Sequence, residues 1–250
     1  MARPYLSVVI PAYNEAKRLP STLVDVDRYL SAQKFTYEII VIDDGSPDHT
    51  ADIVKKMSPQ IKNLKISRSE ENHGKGGSVR RGMLLAQGDI RLFTDADNST
   101  SLDQFDKMRP FFSAQGSEHY DVVIGSRSVR GATLDPPQPF YKRFLGKMGN
   151  LMIQLFNLPG IWDTQCGFKA FTAEVAERVF TLSRIRGWGF DIEVLSLARR
   201  MGFRIKEVPV HWVNDLDSHV PLSGYLNTLW ENAIIRWWLM TDSYHIGRAK

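Results

Sequence analysis

Four short apolar runs alternate with amphipathic segments through the first hundred residues. With the polar residues that end them, the runs read YLSVVIPAYN, YEIIVIDDGS, LKISRSE and DIRLFTDAD. Their continuous, β-branched character is typical of parallel strands that are buried on both faces. Helical patterns follow from Ser21 to Gln33, with Ser21 as the N-cap, and over 47–57. Residues 72–88 are predicted to be a glycine loop that leads into a helix. This alternation predicts an α/β fold with a doubly wound, mostly parallel sheet.

The second half of the chain holds fewer strands and longer amphipathic segments. Strands are predicted in YDVVIGSR and FRIKEVPVHWV, a loop followed by a strand in IWDTQCGFKAFT, and a helix in GFDIEVLSLARRMG. Residues 139–157 and 221–240 each place their apolar residues in one helical stripe. The pattern therefore predicts two amphipathic helices in the second half of the chain.

Polar side chains gather where the predicted strands end. They are Pro11, Tyr13 and Glu15 after the first strand, Asp43 and Asp44 after the second, and Asp95 and Asp97 after the fourth. Ligands bind at the carboxyl ends of the strands in sheets of this kind, so we expect these residues to line one site. Clustered carboxylates repel one another, which implies that a cation or several hydrogen-bond donors lie among them.

Asp95 and Asp97 are separated by one residue, Ala96. In an extended chain this spacing places both carboxylates on the same side. Hard divalent cations such as Mg²⁺ or Mn²⁺ favour such oxygens and keep water and substrate phosphates as their other ligands. An ordinary turn with aspartate caps is the alternative, and the position at a strand end disfavours it.

Two loops have a structural explanation as well as a functional one. The motif NHGKGGSVRRG could hold an anion through its backbone N–H groups and Lys75, or it could be a flexible turn, and it is not a P-loop. In VIDDGSPDHT, Asp43 or Asp44 could bind a nucleobase or ribose, while Ser46 or Asp48 caps the next helix.

Composition limits the partners of the chain. It has 250 residues, which fits one large domain or one domain with an appendage. Its formal net charge of +4 gives by itself no indication of nucleic-acid binding. The single cysteine, Cys166, cannot form an internal disulfide, so we expect a packed thiol in a reducing compartment. No run of about 18 apolar residues occurs, so we expect membrane contact to be peripheral.

The two amphipathic helices suggest such contact. Residues 127–147 hold five basic residues and one acidic residue beside an apolar stripe, which suits an anionic lipid surface. Trp230, Trp237 and Trp238 suit the headgroup zone of a bilayer. The alternatives are that both helices pack on the sheet or on each other, and that residues 230–240 form a homodimer contact.

Six motifs occur in order with matching spacing: VVIPAYNE, VIDDGSPD, NHGKGG, TDADNST, VVIGSR and DTQCGFKAF. Over roughly residues 5–222 the chain resembles the family 2 inverting glycosyltransferases, which have the A-type nucleotide-sugar fold. Within them it is most similar to the dolichyl- and polyprenyl-phosphate sugar transferases. DTQCGFKAFT and RGWGFDIEVL favour the dolichyl-phosphate glucosyltransferase branch, and more loosely the mannose synthases.

The resemblance implies a role for each matched position. The donor-binding residues would be Pro11, Tyr13, Glu15, Asp43, Asp44, Lys75 and Ala96, and the metal ligands Asp95, Asp97 and Ser99. Arg127 would meet the acceptor phosphate, with Arg130, Lys169, Ser218 and His219 nearby, and Asp163 is a further candidate. Asp95, Asp97 and Arg127 would form the catalytic set.

The chain departs from its relatives at two places. Mannose synthases commonly have a glutamine ligand where this chain has Ser99, and a hydroxyl is a shorter and weaker ligand. Relatives often carry Ser-Lys where this chain has Ser218 and His219, and histidine supplies less positive charge near neutral pH.

The implied reaction is metal-dependent, inverting transfer of a hexose from a nucleotide-diphosphate sugar to a polyprenyl phosphate. UDP-glucose is the favoured donor, and GDP-mannose is the second. The catalytic domain would be residues 1–220, with a nucleotide-binding half (1–100) and an acceptor half (101–220), followed by a Trp-rich helix and tail (221–250). The expected location is the cytoplasmic face of a membrane. Transfer to a soluble hydroxyl acceptor, and a donor-binding protein without turnover, are the rival hypotheses.

Overall fold

The computed structural model describes residues 3–113, 118–136, 140–213 and 222–246. The strands in these ranges are β1 (Leu6–Ala12), β2 (Tyr37–Asp43), β3 (Leu64–Arg68), β4 (Ile90–Thr94), β5 (Val122–Ser126), β6 (Thr133–Asp135), β7 (Phe168–Thr172), β8 (Ile205–Pro209) and β9 (His211–Val213). The α-helices are α1 (Leu19–Ser31), α2 (Thr50–Met57), α3 (Gly74–Leu85), α4 (Phe105–Ser113), α5 (Phe140–Phe156), α6 (Ala173–Leu182), α7 (Phe190–Arg200) and α8 (Leu222–Met240).

Seven strands form the main sheet in the order β3-β2-β1-β4-β7-β5-β8. Neighbouring strands are parallel except at β7, which runs antiparallel to both β4 and β5. The predicted doubly wound, mostly parallel sheet is therefore confirmed. Strands β6 and β9 form a separate parallel pair, and Val213 of β9 donates its N–H to the carbonyl of Ser99 at 2.7 Å. This pair thus lies against the loop that follows β4.

Apolar residues on the two faces of the sheet enter two separate core clusters. Val8 of β1 packs with α1, α2 and α4, whereas Val9 packs with α3, α6 and α7. Alternation along β1 therefore buries both faces, as expected for a strand with helices on each side. The carboxyl ends of β1, β2 and β4 remain at one edge of the sheet, here called the carboxyl edge.

Three boundaries differ from the sequence predictions. Helix α1 begins at Leu19 rather than at Ser21, because Pro20 fits the first turn of a helix. The Ser21 hydroxyl donates to the carbonyl of Arg18 and is not an N-cap. The predicted late strand is divided into β8 and β9. The glycine motif is not a loop over its whole length, because α3 already begins at Gly74.

The apolar stripes of α5 and α8 face outward. The exposed residues are Met148, Leu151, Met152, Leu155 and Phe156 of α5, and Leu229, Trp230, Trp237 and Met240 of α8. Opposite residues, Ile153 and Ile235, are buried, and the two helices contact each other. The alternative that the two helices pack on the sheet or on each other is therefore correct in part. Helices α5 and α8 contact each other and bury Ile153 and Ile235, while the stripe residues named above stay exposed. The nine exposed residues are called the outer apolar face below. Across the described ranges, no helix is both long and apolar enough to cross a membrane.

Candidate active site

Asp95 begins the loop at the end of β4, and the start of β7 holds it. Its N–H donates to the carbonyl of Gly167 at 3.2 Å. A Cβ atom placed on Gly167 would lie 2.0 Å from Asp95 Oδ2, so no other residue fits beneath this carboxylate without moving it. Antiparallel strand β7 therefore fixes the position of Asp95 through a glycine in the motif DTQCGFKAF.

Lys75, in the first turn of α3, neutralises Asp95. Its Nζ lies 2.8 Å from Asp95 Oδ1 and 4.8 Å from the ring centroid of Trp188. Burial alone would lower the pKa of Lys75, but the charges of Asp95 and Asp191 raise it above its ordinary value. The ammonium group is therefore held charged at the carboxyl edge.

Asp97 lies beside this pair and lacks comparable compensation. Its Oδ1 accepts the N–H of Ser99 at 2.9 Å. Burial, followed by the negative charge of Asp95, raises the pKa of Asp97 above its ordinary value of 3.8. Ser99 therefore orients the carboxylate through its backbone N–H. No described cation forms an ion pair with Asp97, and the charge of Lys75 only partly opposes the rise in its pKa.

This charge deficit fits a divalent cation. Within the described ranges, no three histidine, cysteine or acidic side chains come together as a metal site, so the described protein ligands are limited to two carboxylates. Mg²⁺ is commonly held by one or two carboxylates, with water and phosphate oxygens completing its octahedral set. Asp95 and Asp97 would hold such an ion, with Ser99 supporting Asp97.

The ends of β1 and β2 form the predicted donor side. Asp43 is fully buried, and its Oδ1 accepts the N–H of Ser46. Arg68 Nε lies 3.2 Å from Asp43 Oδ2, but without hydrogen-bond geometry, so Oδ2 has no hydrogen-bond donor in the described structure. That oxygen can accept a bond from a nucleobase. Asp44 accepts the N–H of His73 at 3.0 Å and thereby anchors the start of α3.

The other predicted donor residues lie along the same edge. Pro11 is buried, Tyr13 is half-exposed, and Glu15 is paired with Arg18. Burial raises the pKa of Glu15, while Arg18 opposes that shift. Ala96 is buried, and its carbonyl accepts the hydroxyl of Thr22 at 2.6 Å. The N-cap of α2 is His49, so the predicted N-cap at Ser46 or Asp48 is wrong. Asp48 nevertheless accepts the N–H of Thr50, the first residue of α2, and the N–H of Ala16.

The glycine motif does not form an open cradle of backbone donors. The N–H of Gly76 donates to the carbonyl of Arg186 at 2.8 Å, and the N–H of Gly74 donates to Asn72 Oδ1. Cβ atoms on Gly74 and Gly76 would lie 2.5 and 2.4 Å from the carbonyl oxygens of Arg186 and Ile185. These glycines let α3 pack against the 185–186 backbone. Lys75 remains as the group of this motif that faces the site.

Arg127 follows β5 and is fixed by an acid from the motif DTQCGFKAF. Its Nε and one Nη bond to the two oxygens of Asp163 at 2.7 and 2.9 Å. Glu207 in turn accepts the N–H of Asp163, and Trp212 lies 5.3 Å from the guanidinium group. Burial opposes the charge of Arg127, but Asp163 raises the pKa of the guanidinium above its ordinary value. No described residue bonds to the second Nη, which is free to meet an anion.

Lys169 has a position that the sequence did not predict. Its side chain is fully buried, its Nζ lies 2.6 Å from Asp191 Oδ1, and it also bonds to the carbonyl of Cys166. The structure therefore does not bring Lys169 to the acceptor side, since its ammonium is enclosed in the core. Arg130, three residues after Arg127 in the chain, is exposed. Ser218 and His219 lie outside the described residues.

Cys166 is a packed thiol, as the sequence predicted. The residue is fully buried, and burial, assisted by the charge of Asp163, raises its pKa to about 12. A thiol with so high a pKa is almost entirely protonated near neutral pH, and it is therefore a poor nucleophile.

Three functional positions were missed in the sequence. Gly167 supports Asp95, Trp188 covers Lys75, and Glu231 of α8 accepts the N–H of Gly189 at 2.7 Å. Side chains at Gly187 or Gly189 would collide with Glu231. The motif RGWGFDIEVL contained a signal, because two glycines flank one tryptophan there. The role of Glu231 depends on a contact 42 residues along the chain, which no local pattern shows.

Comparisons with known proteins agree with this geometry. Residues 7–180 match the family described as Glycosyl transferase family 2. A dolichyl-phosphate beta-glucosyltransferase of Dictyostelium discoideum is 41% identical over 219 residues, covering 83% of this chain and 66% of the relative, just under two thirds of its length. One of Trichomonas vaginalis is 36% identical over 232 residues, covering 90% of this chain and 71% of the relative.

Solved structures share the fold at low sequence identity. Glucosyl-3-phosphoglycerate synthase from Mycobacterium tuberculosis in complex with UDP has a TM-score of 0.68 at 19% identity, covering 94% of this chain and 80% of that one. The same enzyme with Mn²⁺, UDP and glucosyl-3-phosphoglycerate has a TM-score of 0.65, with 94% and 79% covered. The A-type glycosyltransferase fold expected from the motifs is thus confirmed, and the chain belongs to glycosyl transferase family 2 and is a glycosyltransferase.

Proposed function

We propose that this chain transfers glucose from UDP-glucose to a dolichyl or related polyprenyl phosphate with inversion. The observation that carries the proposal is the arrangement of two charged groups at one sheet edge. An acidic pair with Lys75 lies at one end, and a fixed arginine, Arg127, lies close enough for the charge of Asp95 to raise its pKa. The dolichyl-phosphate beta-glucosyltransferases that resemble the chain support this choice of sugar and acceptor.

The donor nucleoside would lie on the ends of β1 and β2. Asp43 Oδ2 would accept a base N–H, since its position is buried and it lacks a hydrogen-bond donor. Pro11, Tyr13, Glu15, Asp44 and Ala96 would line the pocket around it. Lys75 would stabilise the negative charge that develops on the leaving diphosphate, because it is positioned and charged before the reaction begins.

A bound Mg²⁺ or Mn²⁺ would supply Lewis-acid stabilisation of the leaving diphosphate. Asp95 and Asp97 would hold it, and Ser99 would orient Asp97. Lys75 contacts Asp95 through Oδ1, and therefore limits the negative charge that the acidic pair presents.

The acceptor phosphate would be positioned by Arg127, with Arg130 beside it. Asp163 and Glu207 hold the guanidinium plane, so little side-chain entropy is lost when a phosphate binds. A phosphate oxygen attacks the anomeric carbon as the bond to the diphosphate oxygen breaks on the opposite face, which gives inversion. A phosphate monoester is already an anion near neutral pH, so no strong general base is needed.

The outer apolar face suits a peripheral position on a membrane. Trp230 and Trp237 are about two-thirds exposed, and indole rings favour the headgroup zone. A lipid acceptor makes such contact necessary, and the active site would then face the cytoplasmic side. We propose residues 1–220 as the catalytic domain, with donor half 1–100 and acceptor half 101–220, and residues 221–250 as a membrane-facing helix and tail.

Two other activities would use the same groups. GDP-mannose could replace UDP-glucose as donor, although Ser99 stands where mannose synthases commonly have glutamine. A soluble hydroxyl acceptor would need a carboxylate base instead of a paired arginine.

A homodimer through residues 230–240 would cover the same exposed tryptophans as a membrane.

The test is a transfer assay in detergent. UDP-glucose or GDP-mannose is offered with polyprenyl phosphate and either Mg²⁺ or Mn²⁺, and products are separated by solubility in organic solvent. We expect a β-linked glucosyl lipid phosphate from UDP-glucose, with the linkage read by NMR. Transfer to a free sugar but not to the lipid phosphate would contradict the acceptor assignment, and preferential use of GDP-mannose would contradict the donor assignment.

A further inference from the structure

A cavity of about 380 Å³ lies where the C-terminal ends of α5, α7 and α8 meet. Three arginines line it, Arg199 and Arg200 from the last turn of α7 and Arg236 from α8. The cavity wall also contains Ser196, Asn157 and Met240. This space is called the arginine cavity here. Asp191, whose charge acts on Lys75 at the carboxyl edge, lies eight residues before Arg199 on α7, so the cavity is separate from that edge.

The positive charge in the arginine cavity is not compensated by acids. Among the described ion pairs, none includes Arg199, Arg200 or Arg236, so no described carboxylate lies within 4.0 Å of their guanidinium groups. Arg199 donates to the carbonyl of Pro159 at 2.8 Å, which fixes it in place. Burial, with no opposing acid, lowers the pKa of Arg199. An anion entering the cavity would relieve this imbalance.

Helix dipoles explain part of this arrangement. Basic residues are favourable near helix C-termini, which carry a partial negative charge of about half an elementary charge each. Three such ends offset roughly half of the three guanidinium charges. A purely structural role explains Arg199, which donates to the carbonyl of Pro159. It does not explain Arg200 and Arg236, whose guanidinium groups make no hydrogen bond to a carbonyl of the described residues.

A buried hydroxyl gives a second, independent indication of a ligand. Ser196 is 3% exposed, lines the cavity, and its Oγ has no hydrogen-bond partner among the described residues. An unsatisfied buried hydroxyl is unfavourable, so a native protein usually supplies it with a partner. Asn157 Oδ1 is also unpartnered and is an acceptor. The cavity therefore offers cations and a hydroxyl donor for a phosphate, and an acceptor for a neighbouring hydroxyl or amine.

The arginine cavity opens beside the outer apolar face. Met240 belongs to both, and Arg236 lies on the exposed side of α8 next to Trp237. Apolar side chains next to uncompensated cations match the layers of a bilayer, with acyl chains next to phosphate groups. A soluble anion would not require the apolar residues.

We propose that the arginine cavity binds the phosphate group of an anionic phospholipid and fixes the orientation of the enzyme on the membrane. The proposal rests on the peripheral membrane position given under the proposed function, but it concerns a site distinct from the acceptor site. Arg200 and Arg236 contact the lipid phosphate, Ser196 donates its hydroxyl to it, and Asn157 accepts from the headgroup.

The test is vesicle flotation of the whole chain. Vesicles of phosphatidylcholine are compared with vesicles in which part of it is replaced by phosphatidylserine. We expect tighter binding to the anionic vesicles. The variant R200Q/R236Q should lose about 30-fold in that binding, about fivefold for each charge, and keep wild-type binding to phosphatidylcholine. Arg199 is left unchanged because it also supports the 159 loop.

The control variant removes equal charge elsewhere. Arg28 and Arg109 lie on α1 and α4, which pack on the opposite face of the sheet, so R28Q/R109Q should bind anionic vesicles nearly as wild type does. W230S/W237S should instead weaken binding to both vesicle types, since it removes apolar area. Equal losses in R200Q/R236Q and R28Q/R109Q would overturn the site, because net charge alone would then explain binding.

Two further measurements separate this inference from the proposed function. Transfer to polyprenyl phosphate in detergent micelles should be unchanged in R200Q/R236Q, which also shows that the variant is folded. Calorimetry with inorganic phosphate and glycerol phosphate, without vesicles, should give no saturable binding. Saturable binding of a soluble phosphate that R200Q/R236Q abolishes would overturn the lipid assignment, whatever the transfer assay shows.

Discussion

The carboxyl edge of the sheet buries charged side chains, whereas the outer apolar face exposes apolar ones. At the carboxyl edge, charged groups such as Asp43 and Asp163 are buried, and each lies beside an arginine that another part of the chain supplies. On α5 and α8, apolar groups such as Leu155 and Trp230 stand exposed. Buried charge and exposed apolar area both cost free energy in a soluble monomer, so each indicates a surface that binds a ligand or partner.

The difference lies in how each region is stabilised without that ligand. The acids of the carboxyl edge are mostly neutralised internally, by Lys75, Arg68 and Arg127. The outer apolar face has no such internal partner among the described residues. We therefore expect substitutions at the carboxyl edge to change chemistry with the fold intact, and substitutions on the outer face to change location.

The largest effect is expected for Asp97→Asn. Loss of this charge removes one of two carboxylates for the cation, so turnover should fall about 1,000-fold. Burial raises the pKa of Asp97, so the ionised form is unfavourable in the folded protein, and the variant should unfold at a higher temperature than wild type. Transfer assays and calorimetric unfolding measure both.

Asp52→Asn is the matched control for that substitution. Asp52 is exposed on α2 and pairs with His49, so its replacement should leave turnover unchanged. Normal turnover in Asp97→Asn would show that the acidic pair does not hold the catalytic cation.

The next largest effect is expected for Gly167→Ala. The new methyl group would lie 2.0 Å from Asp95 Oδ2, so the carboxylate is displaced and turnover should fall about 100-fold. Binding of Mn²⁺ with UDP, measured by calorimetry, should weaken in parallel. Gly149→Ala in α5 adds a methyl group with nothing within 4 Å and should behave as wild type. Unchanged donor binding in Gly167→Ala would show that β7 does not set the position of Asp95.

A smaller effect is expected for Glu231→Ala, which tests a link between the two regions. Glu231 lies next to Trp230 and holds Gly189, and Trp188 of the same loop covers Lys75. Loss of this support should raise the KM for the donor about tenfold, as for other residues that orient a ligand-contacting group. Glu231→Gln keeps an acceptor for the Gly189 N–H and should restore donor KM.

Glu174→Ala is the control for this pair, because Glu174 makes an exposed ion pair on α6. If Glu231→Gln were as impaired as Glu231→Ala, the carboxylate charge rather than its hydrogen bond would be responsible, and the positioning role would be wrong.

The smallest effect is a shift in pH dependence. Cation binding needs ionised Asp97, whose pKa is raised above 3.8 by burial and by Asp95. Affinity for Mn²⁺ should therefore fall as the pH drops through this raised pKa, at a higher pH than for an ordinary aspartate. Titrations between about pH 7 and about pH 4 in the presence of UDP measure it. A midpoint at or below 3.8 would contradict the raised pKa.

Much of the fold follows from local patterns. Continuous apolar runs predicted β1, β2, β3 and β4, and the polar residues at their ends predicted the carboxyl edge. These predictions succeeded because the period of a buried strand and the residues that end it are local properties. The stripes of α5 and α8 were equally visible, but a stripe alone does not indicate whether it faces core or solvent.

The contacts within the site were less predictable. Lys169 was expected near the acceptor, and the structure encloses it with Asp191 in the core. The backbone N–H groups of the glycine motif were predicted to bind an anion, but the carbonyl of Arg186 accepts the N–H of Gly76. Both outcomes depend on segments far apart in sequence, and a residue's type does not reveal which partner the fold brings to it.

The sequence by itself determined the α/β alternation, the strand-end acids and the family to which the chain belongs. The tertiary structure alone decided that Gly167 supports Asp95, that Asp163 fixes Arg127, and that three arginines surround one cavity. The physical reason is that strand and helix periods are encoded over a few neighbouring residues. Charge pairing and packing are instead fixed when distant segments close around the same sheet.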